Sequence, residues 1–242
     1  MLSALREHIL PVVTGLIDRL ERGIRVLDVG CGRGRALNLM AGSFTCSSFT
    51  GYDLLVEAAD YANVEAAREG HANARFEARD LSRFDQEAEH AAFDLVTSFD
   101  AIHDQAQPLA VLRGIRRSLA DGGAYLAQDV KGSTHHHLNR DHPLGTLLYT
   151  ISCMHCMTVS LAQAARAWAR CGAARPPSAT SATPVSLRSR FMSCPTTRST
   201  ISTSAGPERR MLVARADNLT THFNHEPFAR QRRLLHGPTP LV

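Results

Sequence analysis

Lysine is almost absent from this chain of 242 residues. Lys131 is the only one, so arginine supplies nearly all of the positive charge. Acidic residues are also missing from one long stretch, because no Asp, Glu or Lys occurs between Ala164 and Pro207. The charge is therefore uneven: residues 1–163 hold 20 acidic and 15 basic residues, and residues 164–242 hold 3 acidic and 12 basic residues. The two regions have different characters.

The six cysteines are scattered, which excludes the dense disulfide framework of a small secreted domain. Cys153 and Cys156 have the C-x-x-C spacing of zinc and redox sites, but the sequence shows no second ligand pair and no thioredoxin-like strand before it. We therefore expect reduced, structural cysteines and no metal site. The triplet His135–His137 also suggests a metal, but adjacent side chains point in different directions, which favours a solvated loop.

The N-terminal segment is too charged for a signal peptide, and no apolar run reaches the length of a membrane span. These absences predict a cytoplasmic protein without a membrane partner. Apolar residues at helical spacing predict a helix over residues of about 2–22, kinked or split at Pro11.

Beyond residue 22, short apolar runs alternate with amphipathic stretches. The runs predict five strands: IRVLDVG, SFTGYD, ARFEARD, FDLVTSFD and AYLAQDV. The helix before the fifth strand is predicted over 108–123, ending at a glycine pair. This alternation predicts a doubly wound α/β fold with a mostly parallel sheet, whose ligands bind at the carboxyl ends of the strands.

The first predicted strand ends in a glycine-rich loop, VLDVGCGRGRA. Gly30, Gly32 and Gly34 have the spacing G-x-G-x-G, whereas a dinucleotide loop prefers G-x-G-x-x-G. Asp28 lies just upstream, where a carboxylate repels phosphate and suits a cationic amine. The alternative is a tight strand-to-helix turn that binds nothing.

The next two strands also end in acids. Asp53 follows the second strand, where a carboxylate accepts both hydroxyls of a ribose, although Asp is equally common as a helix N-cap. Asp80 follows the third strand, and alone it would indicate a surface turn. Three such features at successive strand ends, in this order, are hard to explain as turns.

This ordered set resembles class I S-adenosylmethionine-dependent methyltransferases, over residues 1–163. The resemblance implies a Rossmann-like methyltransferase fold with S-adenosyl-L-methionine as cofactor. The glycine loop would wrap the amino-acid end, Asp28 would approach the ammonium through water, Asp53 would bind the ribose and Asp80 the adenine amino group. The implied cofactor-binding residues are Asp28, Gly30, Cys31, Gly32, Gly34, Asp53, Leu54, Asp80, Leu81 and Phe99.

The fourth strand is followed by Asp100-Ala101-Ile102-His103 in place of the N/D-P-P-Y/F motif typical of methyltransferases that act on base amines. This disfavours nucleic acid and resembles methyltransferases with a small-molecule acceptor. His103 is the candidate catalytic base, the alternative being a histidine that starts a helix and bonds to backbone. Tyr149 and His155, with Met157, are candidates for lining the acceptor pocket.

The stretch around residues 142–162 is similar to a subgroup in which a winged-helix segment precedes the methyltransferase domain. Only the helix at 2–22 would represent that segment here. We predict an N-terminal helical segment (1–22), a methyltransferase domain (23–163) and an irregular basic tail (164–242). The alternative function is a cofactor-binding module without catalysis. The acceptor and the oligomeric state are not predicted.

The tail lacks the family's final elements. Back-translation of QAARAWARCG with GC-rich codons, read two bases later, gives GGAGLGAMWG, and with a suitable choice of synonymous codons the same offset from Ser181 can read GDAGFTPVEVHELPDDPFNH. These hidden peptides resemble the missing elements, which predicts a shifted reading frame from about residue 164 and a sheet without its last strand pair. Natural truncation, a pseudogene and a sequencing error would all leave this sequence. A basic nucleic-acid arm is disfavoured, because the arginines are dispersed and aromatics are scarce.

Overall fold

The computed structural model describes residues 4–130, 145–162, 190–192 and 209–215. The chain begins with a π-helical turn (Leu5–Ile9), a 3-10 turn (Leu10–Val12) and helix α1 (Leu16–Arg22). Pro11 lies in the 3-10 turn, where its missing N–H and fixed φ end the first helical stretch. The predicted split of the N-terminal helix is confirmed.

The next elements follow the predicted alternation of strands and helices. They are β1 (Arg25–Val29), α2 (Arg35–Ser43), β2 (Ser48–Asp53), α3 (Val56–Arg68), β3 (Ala74–Ala78), α4 (Phe84–Glu87), β4 (Phe93–Phe99), a 3-10 turn (Ile102–Asp104), α5 (Pro108–Ser118) and β5 (Leu119–Val130). A helical segment, Gly145–Ala162, contains the helices Gly145–Ile151 and Met157–Ala162 on either side of a π-helical turn, Ser152–Cys156. Strands β6 (Arg190–Met192) and β7 (Arg209–Arg215) complete the described chain.

The strands form one sheet in the order β3-β2-β1-β4-β5-β7-β6. Strands β1 to β5 are parallel, so the predicted doubly wound fold is confirmed. The strand order reverses direction between β1 and β4, and the carboxyl ends of these two strands flank the crevice where such folds bind ligands. Asp28 is the partner of Thr97 in the register of this pair.

Two apolar cores cover the sheet, because successive side chains of each buried strand point to opposite faces. On one face Val26, Phe49 and Leu95 pack with the N-terminal turns, α1, α2 and α3. On the other face Leu27 and Val96 pack with α4 and α5. Burial on both faces fixes the register of the strands, and with it the position of every residue at a strand end.

The fifth helix is shorter than predicted. It ends at Ser118, and β5 begins at once with Leu119, before the glycine pair. Gly122 has a φ of +70°, and the pairing of β4 with β5 shifts between Phe93 and Leu95. The glycines therefore form a bulge at the start of a strand instead of stopping a helix.

The predicted absence of the last strand pair is wrong. Strand β7 pairs antiparallel with β5 along its whole length, from Ala124↔Arg215 to Val130↔Arg209, and β6 pairs antiparallel with β7. The segment RRMLVAR, a short apolar run between arginines, forms a strand that covers the edge of the parallel sheet. Most of the region 164–242 lies outside the described residues, so its predicted irregular character and shifted frame stay predictions.

The helical segment 145–162 corrects another expectation. It is the one helix of the described residues that is long and apolar enough to cross a membrane by length and composition alone, with a mean hydropathy of 1.2. Leu148, Ser152 and Cys156 are nonetheless buried in the protein, while Leu147, Ile151 and Met154 are exposed. Length and composition do not distinguish such a helix from one that packs on a protein core. The predicted lack of a membrane partner stays a prediction.

The role of β7 is tested by a proline at its centre. Leu212 pairs with Ala127 of β5 and with Phe191 of β6. Leu212→Pro removes a ladder N–H, and we expect it to lower the free energy of unfolding by at least about 1 kcal/mol more than Leu212→Ala does. The alanine variant is the matched control, because it also loses the leucine side chain but keeps the N–H. Equal denaturant midpoints for the two variants would contradict the pairing.

Candidate functional site

The glycine loop follows β1 directly and is held against the end of β2. The amides of Gly30 and Cys31 both donate to the Tyr52 carbonyl, at 2.8 and 3.0 Å. Gly30, Gly32 and Gly34 have φ values of +74°, +55° and +69°, so the loop runs through a conformation that L side chains rarely adopt. The loop then enters α2, whose first residue is Arg35.

The space around the three glycines differs. A Cβ at Gly30 would lie 2.5 Å from the Cβ of Ala101, and one at Gly34 would lie 2.5 Å from Phe76. A Cβ at Gly32 would meet nothing within 4 Å. Gly30 and Gly34 are therefore required for packing, whereas Gly32 lies under open space that a ligand can enter.

Asp53, at the end of β2, holds the loop and the start of α3 together. Its Oδ2 accepts the Gly32 N–H at 2.8 Å, and its Oδ1 accepts the Leu55 N–H at 3.0 Å. Asp53 can therefore act both as a helix cap and as an acceptor for ribose hydroxyls, the two roles that the sequence left as alternatives. A carboxylate has about four lone-pair sites, and these two bonds leave the others for a ligand.

Asp28 is buried beneath the loop. Its Oδ1 accepts the Thr97 hydroxyl at 2.8 Å. Burial, with a smaller contribution from the charge of Asp53, raises the pKa of Asp28 to about 7, although the Thr97 hydrogen bond opposes this. The charged form of Asp28 is therefore favoured when a positive charge lies nearby, and an ammonium group would supply one.

Cys31 lies in the loop without being a reactive thiol. Burial, with the negative charges of Asp28 and Asp53, raises the pKa of its thiol far above the ordinary value. The thiolate is the nucleophilic form of cysteine, so Cys31 contributes its backbone and its packing, not its sulfur chemistry.

The residues expected around the adenine differ in how exposed they are. Asp80 is exposed and its Oδ1 accepts the Ser82 N–H at 2.8 Å. Leu81 is buried in the second core with Tyr52 and Phe84. Leu54 is 43% exposed at the end of β2, next to Asp53, and so presents an open apolar surface. Leu54 is thus more accessible to a ligand than Leu81.

The turn after β4 lies beside the glycine loop through the contact between Ala101 and Gly30. Phe99 packs against the first core, and Asp100 has a left-handed φ of +52°, which is strained for a residue with a side chain. Strain at this point turns the chain sharply at the end of β4. His103 follows in the 3-10 turn.

His103 is surrounded by acids that the sequence did not associate with it. Its Nδ1 lies 2.8 Å from Asp129 Oδ1 and its Nε2 lies 3.3 Å from Asp104 Oδ1. Burial lowers the pKa of His103, but the hydrogen bonds to Asp129 and Cys156 and the charges of Asp129 and Asp104 outweigh it and raise that pKa to about 10. At neutral pH the ring is an imidazolium, which donates hydrogen bonds. Its role as a base stays a prediction.

The predicted acceptor residues lie on the helical segment 145–162. His155 is largely exposed, and its Nε2 is 3.9 Å from Asp104 Oδ2, so the fold brings it beside His103. Tyr149 is half-buried on the same segment, one turn or more from His155. The segment therefore faces the turn after β4 with at least one of the two predicted residues.

Sequence reasoning missed Thr97, Asp104, Asp129 and the role of Cys156. The register of parallel strands was the signal for two of them, because Thr97 is level with Asp28 and Gln128, beside Asp129, is level with Phe99. A separate cavity of about 390 Å³ lies at the amino ends of β1, β2 and β3, and none of the predicted cofactor residues lines it.

Comparison with known proteins decides the family. The sequence profile of a family described as "Methyltransferase domain" matches residues 20–169, which is more than half of the chain. The chain belongs to this family. It is a class I methyltransferase of the S-adenosylmethionine-dependent type, and the resemblance inferred from the glycine loop and the strand-end acids is confirmed.

The chain is also similar to a curated relative and to a solved structure. It is 31% identical over 115 residues to a ubiquinone biosynthesis O-methyltransferase from Paracidovorax citrulli, covering 47% of each chain, so it spans about half the length of that curated relative. The crystal structure of a SAM-dependent methyltransferase from Aquifex aeolicus has a TM-score of 0.51 and 15% identity, covering 88% of this chain and 93% of that one. The second likeness shows the fold alone.

The buried Asp28 predicts a pH dependence of the methyltransferase's stability. The pKa of about 7 in the folded state is above the ordinary value of 3.8, so the contribution of protonated Asp28 is lost as pH rises through about 7. We expect the free energy of unfolding of Asp28→Asn, which stays neutral, to rise relative to that of the parent by on the order of a few kcal/mol between about pH 5 and about pH 8, and its melting temperature to rise relative to the parent's accordingly.

Thr97→Val is the matched control for this measurement. It removes the hydroxyl that stabilises the carboxylate but leaves Asp28 titratable, so its melting temperature should keep falling as pH rises. A difference between Asp28→Asn and the parent that is the same at both pH values would show that Asp28 does not titrate in this range.

Proposed function

We propose that this chain transfers the methyl group of S-adenosyl-L-methionine to a small-molecule acceptor. The observation that carries the proposal is the loop geometry: open space over Gly32 beside the Asp53 carboxylate, whose oxygens keep lone-pair sites for hydroxyl donors. We also propose a cytoplasmic location and no nucleic-acid partner, on the charge and motif arguments from the sequence.

The residues at the strand ends fit the cofactor's groups in their order along the sheet. Asp28, buried and with a raised pKa, suits the ammonium of the methionine end. Asp53 suits the ribose hydroxyls, with Leu54 exposed beside it for the adenine ring. Asp80 is exposed at the next strand end, where a carboxylate oxygen is free to accept from the adenine amino group. Gly30, Cys31, Gly32 and Gly34 supply the backbone that approaches the ligand, while Leu81 and Phe99 support these positions from the core.

When bound, S-adenosylmethionine supplies an electrophilic methyl group on a sulfonium. The chain's own contribution is chiefly to hold the acceptor in line with that bond, an effect worth up to about 7–11 kcal/mol in ideal cases. The turn Ile102–Asp104 follows Ala101, which lies against Gly30, and His155 of the helical segment 145–162 lies 3.9 Å from Asp104 Oδ2. His103, His155 and Tyr149 are the residues that we propose for this purpose. The O-methyltransferase relative supports an oxygen atom as the nucleophile.

The direct test is calorimetric titration with S-adenosylmethionine and with its demethylated product, followed by a screen of small-molecule hydroxyl acceptors. We expect both cofactor forms to bind with one site per chain and at least one acceptor to be methylated. Binding of both forms without turnover on any acceptor would favour the non-catalytic binding module. Tighter binding of NAD than of either form would overturn the assignment of the cofactor.

Asp53→Ala should weaken the binding of S-adenosylmethionine. The substitution removes hydrogen bonds from ribose hydroxyls to a charged acceptor, each worth about 1.5–3 kcal/mol, and frees the Gly32 amide. Asp60→Ala is the matched control, because Asp60 is an exposed aspartate on α3 of the same charge. Unchanged affinity in a folded Asp53→Ala variant, measured by calorimetry, would leave Asp53 as a cap only.

His103→Asn separates a catalytic role from a structural one. If His103 acts on the acceptor's proton, turnover should fall by about 10²–10⁴-fold while cofactor affinity stays within a few-fold of the parent. His90→Asn, at an exposed histidine after α4, controls for loss of an imidazole elsewhere. A parallel loss of turnover and of cofactor affinity would instead show that His103 supports the glycine loop.

A further inference from the structure

Cys153 and Cys156 form a C-x-x-C pair with no second pair of metal ligands near it in the sequence. The fold brings two further candidate ligands, His103 and Asp104, next to Cys156. His103 and Asp104 follow β4, and the helical segment 145–162 brings Cys156 against them. The side-chain ligand atoms of His103, Asp104 and Cys156 all lie within 4.8 Å of one another. An imidazole, a carboxylate and a thiol in one cluster are the donors that zinc prefers in proteins.

His103 is oriented as a metal ligand by Asp129. With Nδ1 held 2.8 Å from Asp129 Oδ1, the ring turns its Nε2 towards Asp104. A carboxylate on the far nitrogen of a histidine is the usual support of a zinc-bound imidazole, because it fixes the ring and raises its basicity. Asp129 is therefore a positioning residue for Nε2.

Asp104 directs a buried carboxylate oxygen towards His103. Oδ1 is buried, lies 3.3 Å from His103 Nε2, and makes no hydrogen bond within the described part of the chain. Ligands at about 2.0–2.2 Å from a tetrahedral zinc ion are about 3.4 Å apart. The separation of these two atoms thus already matches that of a ligand pair.

Only one thiol of the C-x-x-C pair faces the cluster. Cys156 is buried at the end of the π-helical turn, and its side chain hydrogen-bonds to His103. Cys153, at the start of the same turn, is exposed. His155 lies beyond Asp104, is 68% exposed, and has its Nε2 3.9 Å from Asp104 Oδ2.

We propose that His103, Asp104 and Cys156 bind a divalent metal ion of the zinc class and leave its fourth position open. Binding releases the Cys156 thiol proton and the His103 Nε2 proton to solvent and forms one bond each from sulfur, nitrogen and oxygen to the ion. Three protein ligands with an open fourth position form the arrangement of catalytic zinc.

The role of this ion rests on the proposed function. The turn that carries His103 and Asp104 follows Ala101, which lies against Gly30, so an ion held by this turn would lie near the cofactor loop. A zinc ion there would bind an acceptor hydroxyl and lower its pKa, which replaces a protein base. Metal binding itself is measurable without any methyl transfer.

The test uses cobalt(II), which replaces zinc in such sites and gives a thiolate-to-cobalt absorption band when a cysteine is a ligand. We expect the full chain to bind one equivalent of zinc and to show this band with cobalt. Cys153→Ser is the matched control and should behave as the parent. Cys156→Ser should lose the band and bind zinc at least about 10-fold more weakly, and Asp129→Asn should weaken zinc binding by about 10–100-fold.

The outcomes separate the site from other sources of metal binding. The triplet His135–His137, outside the described residues, has no thiol and gives no such band. A band that persists in Cys156→Ser, or no band in the parent, would overturn the proposal. Should Cys156→Ser not fold, Asp104→Asn carries the test, because it removes a ligand and keeps the thiol: unchanged zinc affinity would count against the site.

The same titrations distinguish this proposal from the proposed function. A parent chain that binds S-adenosylmethionine but neither zinc nor cobalt overturns the metal site alone. A parent chain that binds zinc through Cys156 but neither form of the cofactor overturns the methyl-transfer proposal alone.

Discussion

The hydrogen bond from the Gly32 N–H to the Asp53 carboxylate is the contact on which the candidate site depends. It joins the loop after β1 to the end of β2, and the Tyr52 carbonyl reinforces the junction by accepting from Gly30 and Cys31. The second oxygen of Asp53 fixes the amide of Leu55, just before α3. One carboxylate thus sets the path of the loop and the start of a helix while still presenting lone pairs outward. Without the hydrogen bond to Asp53, a loop with glycine at every second position would adopt many conformations.

The sequence contained enough to predict the parallel sheet and the positions of Asp28, Asp53 and Asp80 at strand ends, because local apolar periodicity determines the strands and their order determines which ends share an edge. It did not contain the contacts between side chains far apart in sequence. Thr97 and Asp28 are 69 residues apart, and only the register of β1 with β4 brings them together. Asp129 reaches His103 for the same reason, through β4 and β5.

Composition misled the prediction at two other places. The segment RRMLVAR was assigned to an irregular tail, yet a short apolar run between arginines is also typical of a strand, and β7 pairs with the last seven residues of β5. The glycine pair before the fifth strand was assigned to a helix end, although a bulge in a strand needs glycine just as much. In both cases the pattern had two structural solutions, and pairing with β4 or β5 selected between them.

His103 lies between the strand ends and the helical segment 145–162. Its ring has only two nitrogens. Asp129 occupies Nδ1, so whatever His103 does for an acceptor must be done at Nε2, which faces Asp104. A base and a metal ligand both need the lone pair of that same atom, and neither is possible while Nε2 carries its proton. A metal ion held there would displace the Nε2 proton and could lower the pKa of an acceptor hydroxyl in place of the ring, whereas a base must take up the acceptor's proton and release it again in every turnover. The acids around His103 favour the protonated ring, so they oppose a base at this position, but they are well placed to share a cation.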